Sequence, residues 1–340
     1  MVEGAAPVNA SLVVDRLGLA MRASHVLVLV FVAGGIAFAA VGTVMGDTFY
    51  MRLATEALIF AGLALSVDIL LGYTGLLSLG QALHFGLGAY VSALVLKQWP
   101  SFWVAMAVVL VISLVVGVLA GLIANRVRGV YFALVTFGLA QVVAKAIYNT
   151  RALGASDGLI GVPIVPIDLG VSIVMSNAPA GFFLVTLGVI VALYAISAYL
   201  LDTPFGRVLI ALRANERRVP FLGYSSRNAR LAAYVVAAVV AALSGALYPM
   251  LRGFVSPELL FFSTSGNAVI TVVIGGVGTL AGALYGGVIL TILKSVVGSM
   301  TQEHLIVIGL LFMTVVIFLP KGLLGFIRPR IERLFGGDAR

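Results

Sequence analysis

Long apolar stretches, each bounded by a short polar or basic segment, recur from one end of the chain to the other. A helix needs about 20 apolar residues to cross the hydrocarbon core of a bilayer. The pattern therefore predicts an all-α, polytopic membrane protein with about ten transmembrane helices. The predicted spans lie near residues 26–45, 54–71, 79–96, 102–124, 130–148, 181–201, 230–250, 266–281, 283–299 and 304–320.

The composition agrees with this pattern and excludes an ordinary soluble domain. The 340-residue chain is 61% hydrophobic and 10% charged, with a mean hydropathy of +1.16. Soluble domains are closer to half apolar and a quarter charged. The sequence contains no cysteine, so disulfides and thiolate metal sites are excluded.

The positions of the basic residues predict the orientation of the chain. Most of the 21 Lys and Arg residues lie near the N-terminus, in the segments 125–129 and 202–229, or after the last span. Cytoplasmic loops carry such an excess of basic residues. We expect both termini to be cytoplasmic, with a cytoplasmic segment at 1–25, a transmembrane domain at 26–320 and a basic tail at 321–340. The net charge of +8 thus follows from membrane topology and does not indicate nucleic-acid binding.

Glycines are concentrated at two points where one span should lead into the next. The first cluster, in "LGYTGLLSLGQALHFGLGAY" (71–90), includes Gly72 and Gly75, and the second, in "VIGGVGTLAGALYGG" (273–287), includes Gly276 and Gly278. Gly-interrupted spans in both halves of a transporter indicate discontinuous helices around a central pathway. We therefore predict discontinuous Gly-rich segments whose glycines line a translocation pathway. Close packing of helices through small residues is the alternative.

A few polar side chains fall within the predicted spans. Asp68 is the only carboxylate well inside one, and a charge there should face protein or water because its burial in lipid is costly. It is interpreted as a pathway residue near Gly72 or, preferably, as a structural residue, either a cap for backbone groups freed by those glycines or simply a residue at the cytoplasmic end of the span. Ser78, Gln81 and His84 are candidates to line a passage, although for each of them alone an interhelical hydrogen bond is the preferred interpretation.

No catalytic site and no metal site are indicated by the sequence. The three histidines are isolated from one another in the sequence, so no metal site is predicted. No nucleophile–base pair is recognisable, so we expect the chain not to be an enzyme.

Several motifs resemble the LivM-type branched-chain amino acid ABC transporter permeases, a high-affinity transport system permease family. The segment 71–90 is similar to the family's GY-[AT]-G-L-L-S-L-G signature and the G-x-G-A-Y helix that follows it. Other stretches resemble the family in the same order, and the resemblance covers about residues 25–328. They are "RGVYFALVTFGLAQ" (128–141), "SDGLIGVP" (156–163), "RANERRVPFLGYSSRNARLAAYVVAA" (213–238) and "GLLFMTVVIFLPKGLLG" (309–325).

The resemblance implies a permease subunit of an ATP-driven importer in the bacterial inner membrane. Such permeases work with a LivH-type second permease, two cytoplasmic ATPase subunits and a periplasmic substrate-binding protein. The sequence has no G-x-x-x-x-G-K-[ST] motif, so ATP is expected on the partner subunits and no cofactor on this chain. Membrane lipid is the remaining expected partner.

The cargo is expected to be a branched-chain or related amino acid, with urea, amides or aromatic acids as alternatives. Urea-transporting relatives usually carry N-N-G in the outer loop where this chain reads Ser156-Asp157-Gly158. An ion-coupled secondary transporter is an alternative of a different class, but it predicts several intramembrane carboxylates. A passive channel built on the Gly-rich segments is a third possibility.

The segment 202–229 is the largest predicted cytoplasmic loop. Thr203 is suited to an N-cap and Pro204 to the first helical position. A second short helix is predicted to start after Asn215 and to stop at Gly223, and Pro220 within it is expected to kink it or delay its start. The resemblance implies that this segment couples to an ATPase subunit, whereas contact with anionic lipid is the alternative. The predicted coupling residues are Arg213, Asn215, Glu216, Arg217, Arg218 and Gly223.

Overall fold

A computed structural model describes residues 10–168, 173–300, 304–318 and 322–325 of the chain. It consists mainly of α-helices joined by short irregular segments. In chain order these are α1 (Ala10–Met45), α2 (Thr48–Asp68), α3 (Gln81–Gln98), α4 (Phe102–Ala124), α5 (Val130–Asn149), α6 (Pro179–Asp202), α7 (Pro204–Asn215), α8 (Ser226–Ala246), α9 (Tyr248–Arg252), α10 (Phe262–Gly275), α11 (Ala281–Met300) and α12 (His304–Phe318).

Two pairs of very short antiparallel strands lie in the connections between helices. Strand β1 (Leu159–Ile160) pairs with β4 (Phe254–Val255), and β2 (Pro166–Asp168) pairs with β3 (Ile173–Met175). The β1–β4 pair ties the connection between α5 and α6 to the connection between α9 and α10. The loops at this end of the bundle are therefore ordered against one another.

The helical content and apolarity confirm the all-α, polytopic membrane class. Seven described segments are long and apolar enough to cross a bilayer. These are Val26–Met45, Thr48–Thr74, Phe102–Ala124, Val130–Asn149, Pro179–Asp202, Ser226–Arg252 and Ala281–Met300. Helix α3 has 18 residues but is less apolar, and α10 and α12 have only 14 and 15 residues. The count of ten spans therefore stays a prediction.

Helices α2, α3 and α8 form the centre of the bundle, and small residues line the faces that they share. In the most apolar part of α2, 78% of the residues are buried, against 28% in α4. A Cβ atom added at Gly88 of α3 would lie 2.7 Å from Cα of Ala242 in α8, so these backbones touch. Such close approach maximises van der Waals contact where the hydrophobic effect no longer drives association. The outer helices expose side chains such as Val111 and Val142 to lipid or to another subunit.

Some predicted boundaries differ from those observed. Helix α1 begins at Ala10, so the helix extends well before the predicted start of the first span and through the described part of segment 1–25. The interruption near the second glycine cluster lies at 276–280, a few residues before the predicted one. Residues 1–9 and most of the predicted tail 321–340 lie outside the described residues.

Candidate functional site

The first glycine cluster interrupts the helix that α2 begins. After Asp68 the chain continues as a π-helix (Ile69–Thr74) and then turns at Gly75, whose φ of +72° favours glycine. Residues 76–80 are irregular, and α3 starts at Gln81. The predicted discontinuity is thus present, and we call residues 69–80 the first break.

The second glycine cluster separates α10 from α11. Gly276 and Gly278 have φ values of +116° and +80°, and Leu280 also has a positive φ of +48°. The Thr279 hydroxyl accepts a hydrogen bond from the Gly282 amide at 3.0 Å, which satisfies a backbone donor at the start of α11. We call residues 276–280 the second break.

Asp68 connects the two breaks. Its Oδ1 accepts a hydrogen bond from the Gly278 amide at 2.6 Å, and its Oδ2 accepts one from the Leu280 amide at 2.8 Å. The side chain is fully buried. Because both oxygens accept, the ionised carboxylate satisfies these contacts better than the protonated acid. Asp68 therefore caps backbone amides, but they are amides of the second break and not of the neighbouring first break, for which a cap was expected.

The glycines at the centre of the two breaks pack directly against each other. A Cβ atom added at Gly72 would lie 2.5 Å from Asp68 Oδ1 and 2.6 Å from the Gly278 Cα. Real Cβ atoms do not approach other atoms so closely, so a side chain at Gly72 would force the breaks apart. Gly276 is covered in the same way by the turn at 322–325, since a Cβ on Gly322 would lie 2.5 Å from the Gly276 Cα.

Arg213, near the end of α7, contacts both breaks. Its Nη1 donates a hydrogen bond to the Gly72 carbonyl oxygen. A Cβ atom on Gly278 would lie 3.3 Å from the same Nη1, and one on Gly75 would lie 3.1 Å from the Arg213 Cγ. The side chain predicted to contact an ATPase is thus held against the membrane-spanning part of this chain.

The remainder of the predicted coupling segment forms a short helix with the predicted bounds. After α7 the chain winds into a 3-10 helix (Glu216–Leu222), with Asn215 as its N-cap and Gly223 at its end with a φ of +82°. The Asn215 Oδ1 accepts a hydrogen bond from the Arg217 amide at 3.1 Å. Pro220 lies inside this helix but does not delay its start, which is at Glu216. A proline has no N–H group to donate an α-helical hydrogen bond, and the segment forms a 3-10 helix instead of an α-helix.

The start of α7 differs from the prediction in one detail. Pro204 occupies the first helical position after Thr203, as predicted. The Thr203 hydroxyl, however, donates to the Leu200 carbonyl at 2.6 Å and does not cap α7. The hydroxyl closes the end of α6 because α6 ends only one residue before this position.

The predicted coupling residues differ in exposure. Glu216 lies 3.3 Å from both Arg128 and the buried Arg230, so its carboxylate is bound within the chain. Arg217 and Arg218 are exposed. Next to them, Phe221 is 89% exposed and Leu222 is 65% exposed, whereas Val219 is fully buried.

Ser78, Gln81 and His84 are all buried near the start of α3. The Ser78 hydroxyl accepts from the Gly80 amide at 3.3 Å, and His84 Nε2 lies 3.1 Å from the Tyr234 hydroxyl of α8. The His84 contact is the interhelical hydrogen bond foreseen for that residue, whereas the Ser78 contact lies within the first break. Among the described residues, neither polar atom of the Gln81 side-chain amide has a hydrogen-bond partner, so its role is not explained by packing.

Two residues of this region were not predicted from the sequence. Leu280 supplies the second amide that Asp68 binds, and Tyr234 is the partner of His84. A leucine at positive φ has no sequence signal, because the left-handed conformation normally selects glycine or asparagine. Tyr234 lies within the quoted segment 213–238, but nothing local distinguishes it from an ordinary apolar position.

The part of the chain that matches known proteins includes both breaks and the coupling segment. The family model described as "Branched-chain amino acid transport system / permease component" matches residues 49–318. The high-affinity branched-chain amino acid transport system permease protein LivM of Salmonella typhimurium is 28% identical over 310 residues, which cover 85% of this chain and 72% of that protein. LivM of Escherichia coli (strain K12) is 27% identical over 302 residues, covering 82% and 71%. The permease protein LivH of Salmonella typhimurium is 22% identical over 290 residues, covering 81% and 93%. No solved structure matches this chain significantly.

Proposed function

We propose, from the premise that this chain belongs to the branched-chain amino acid transport system permease family, that it forms part of the membrane pathway of an ATP-driven importer. It is a permease subunit, as the motif resemblance predicted, and it is similar to transport subunits and not to enzymes. The expected cargo is a branched-chain or related amino acid.

The observation that carries the proposal is the position of Arg213. This side chain donates a hydrogen bond to the Gly72 carbonyl oxygen in the first break. Asp68, directly before the first break, accepts hydrogen bonds from two amides of the second break. Arg213 also lies only three residues before the start of the 3-10 helix that carries the exposed side chains. A displacement of that helix would therefore be transmitted to both breaks through Arg213 at the end of α7.

We assign the exposed side chains Arg217, Arg218, Phe221 and Leu222, hereafter the docking surface, to contact with a cytoplasmic ATPase subunit. An exposed aromatic residue flanked by arginines is typical of protein interfaces, in which aromatic residues and arginine are enriched. Asn215 and Gly223 fix the two ends of this surface, and the ion pairs of Glu216 with Arg128 and Arg230 hold it against the rest of the chain. Contact with anionic lipid instead would leave the docking surface without effect on ATP hydrolysis.

The proposed mechanism is a two-state change at the breaks. In the present arrangement Gly72 and Gly278 pack together and Asp68 binds the second break. We propose that this arrangement is the closed state of the pathway. Binding of ATP by the partner subunits would move α7, withdraw Arg213 from the Gly72 carbonyl and separate the breaks. Small shifts are amplified in this way because packed contacts have discrete arrangements.

The partner permease is proposed to have the same fold. This chain is similar to both LivM and LivH, two permease proteins of the same named transport system. Two similar chains form a nearly symmetric pair most simply, with the substrate pathway between or within them. Both termini are proposed to be cytoplasmic, on the basis of the distribution of Lys and Arg.

An ion-coupled transporter is disfavoured by the environment of Asp68. Such a mechanism needs a carboxylate that is free to bind and release a cation or proton. Both Asp68 oxygens are instead engaged by backbone amides, at 2.6 and 2.8 Å.

Reconstitution tests the proposed function. The chain is purified together with its partner permease and ATPases, placed in liposomes, and assayed with labelled L-leucine, urea and L-phenylalanine in the presence of its binding protein. We expect ATP-dependent uptake of L-leucine that urea does not inhibit. Uptake of urea alone, or leucine uptake that follows an ion gradient without ATP, would contradict the proposal.

A further inference from the structure

A cavity of about 570 Å³ lies between α2, α9, α10 and α11. Arg52 and Arg252 are among the residues that line it. Its volume is within the range of small-molecule sites, roughly 300–1,000 Å³. The sequence does not predict a cavity at this position.

The cavity extends from an exposed rim to a buried apolar floor. At the rim, Phe49 is 61% exposed, whereas Leu63 and Leu290 at the floor are 1% and 3% exposed. On α2 the lining runs from Phe49 to Leu63, which corresponds to a depth of about 20 Å along the helix axis at 1.5 Å per residue. The cavity therefore reaches from one end of the bundle into its interior.

The middle of the cavity carries charges of both signs. Glu56 forms an ion pair with Arg252 at 2.5 Å, and the Glu56 side chain is only 16% exposed. Arg52 and Lys294 also line the cavity. Among the described side chains, Lys294 forms no direct ion pair or hydrogen bond and is attracted by Glu56 only at longer range, so its ammonium group is accessible to an anionic ligand.

Three basic groups and one acidic group thus surround the same space in the described part of the chain. Charged groups at this depth of a membrane protein mark substrate or ion pathways. Neutral hydrogen-bonding groups accompany them, since Asn267, Thr271 and Thr291 also line the cavity. A ligand with both a carboxylate and an ammonium group could bind the Lys294 ammonium group, which lies outside the Glu56–Arg252 ion pair, with its carboxylate and the Glu56 carboxylate with its ammonium group.

We infer that this cavity is a binding site for a zwitterionic, aliphatic amino acid on its way to the two breaks. Lys294 and Arg252 bind the carboxylate, Glu56 binds the ammonium group, and the apolar side chain lies against Phe60, Leu63 and Leu290. This inference rests on the proposed function and adds the site at which this chain itself recognises the substrate. It disfavours urea, which carries no charge to pair with these groups.

The position of the cavity agrees with a passage that is closed at the breaks. Leu63 at the floor and Asp68 at the breaks are five residues apart on α2, about 8 Å along the helix axis. The substrate would thus wait directly above the contact between Gly72 and Gly278.

Ligand analogues combined with charge-neutral variants test the site. The complete transporter in lipid nanodiscs, without binding protein, is titrated by saturation-transfer difference NMR with four probes. These are L-leucine, L-leucinamide (which lacks the carboxylate), 4-methylpentanoate (which lacks the ammonium group) and urea. We expect L-leucine to bind the unmodified transporter and urea not to bind.

The variants should change selectivity in opposite directions, which a folding defect would not produce. Lys294→Gln should weaken L-leucine and 4-methylpentanoate about tenfold or more and leave L-leucinamide unchanged, because a charged hydrogen bond is lost. Glu56→Gln should weaken L-leucine and L-leucinamide to a similar extent and spare 4-methylpentanoate. Lys97→Gln removes an exposed positive charge at the end of α3, away from the cavity, and should change none of them.

Two outcomes separate this inference from the proposed function. If Lys294→Gln and Glu56→Gln bind all probes as the unmodified transporter does, or if no probe binds while ATP-driven leucine uptake is normal, the cavity is not the substrate site. If the unmodified transporter takes up no amino acid when its binding protein and ATP are supplied, the proposed function itself is wrong.

Discussion

Replacing Asp68 by asparagine would test the connection between the two breaks without changing the volume of the side chain. The aspartate accepts from the amides of Gly278 and Leu280 with one oxygen each. An asparagine has a single oxygen, so one amide loses its acceptor and faces an NH₂ group. A hydrogen bond to a charged group contributes about 1.5–3 kcal/mol, and a buried donor left without a partner costs a similar amount.

A loss of that size would increase local opening of the second break roughly ten- to a hundredfold. Hydrogen–deuterium exchange of peptides that cover 273–287 measures this opening directly. We expect at least one of the Gly278 and Leu280 amides to exchange faster by that factor, and ATP-driven uptake to fall below about a tenth of normal. Ser66→Ala is the matched control, because Ser66 is buried two residues before Asp68 and donates only within α2, to the Leu63 carbonyl. Unchanged exchange across 276–280 in Asp68→Asn would refute the reasoning.

Three further predictions concern the packing, docking and orientation of the chain. Gly72→Ala should abolish uptake, because its Cβ would lie 2.6 Å from the Gly278 Cα and overpacking costs about 1–3 kcal/mol; normal uptake would show that the breaks can separate freely. The double change Arg217→Glu and Arg218→Glu should release the ATPase subunits in a co-purification assay, since like charges at an interface oppose binding; an intact complex with normal uptake would leave the docking surface without a partner. A reporter fused after Gly206 should be cytoplasmic and one fused near Ala155 periplasmic, and either one on the opposite side would overturn the predicted topology.

The features that the sequence predicts are those that depend on neighbouring residues or on the bilayer. The apolar spans are recognisable because lipid requires long uninterrupted runs of apolar residues. The 3-10 helix after α7 is bounded by Asn215 and Gly223 as predicted, because a cap and a left-handed end are local properties. The two breaks are marked by their own glycines.

The features that the sequence does not predict depend on contacts between distant parts of the chain. Asp68 and Gly278 are 210 residues apart, and no local pattern indicates that one caps the other. Glu56, Arg252 and Lys294 come from three different helices, and each by itself is an ordinary charged residue near the end of a span. Arg213 belongs to a predicted docking segment, yet its guanidinium contacts the first break, because α7 folds back beneath α2.

Coupling between the docking surface and the breaks is tested most directly by the ratio of ATP hydrolysed to leucine transported in the Arg213→Gln variant. The substitution removes a charged hydrogen bond to the Gly72 carbonyl, worth about 1.5–3 kcal/mol, and leaves Arg217 and Arg218 unchanged. We predict that the ATPase subunits stay bound and hydrolyse ATP, while uptake falls at least tenfold, so that the ratio rises by the same factor. Arg207→Gln, which removes an exposed charge from the same helix, should leave the ratio unchanged. An unaltered ratio in Arg213→Gln would contradict a coupling route through this contact.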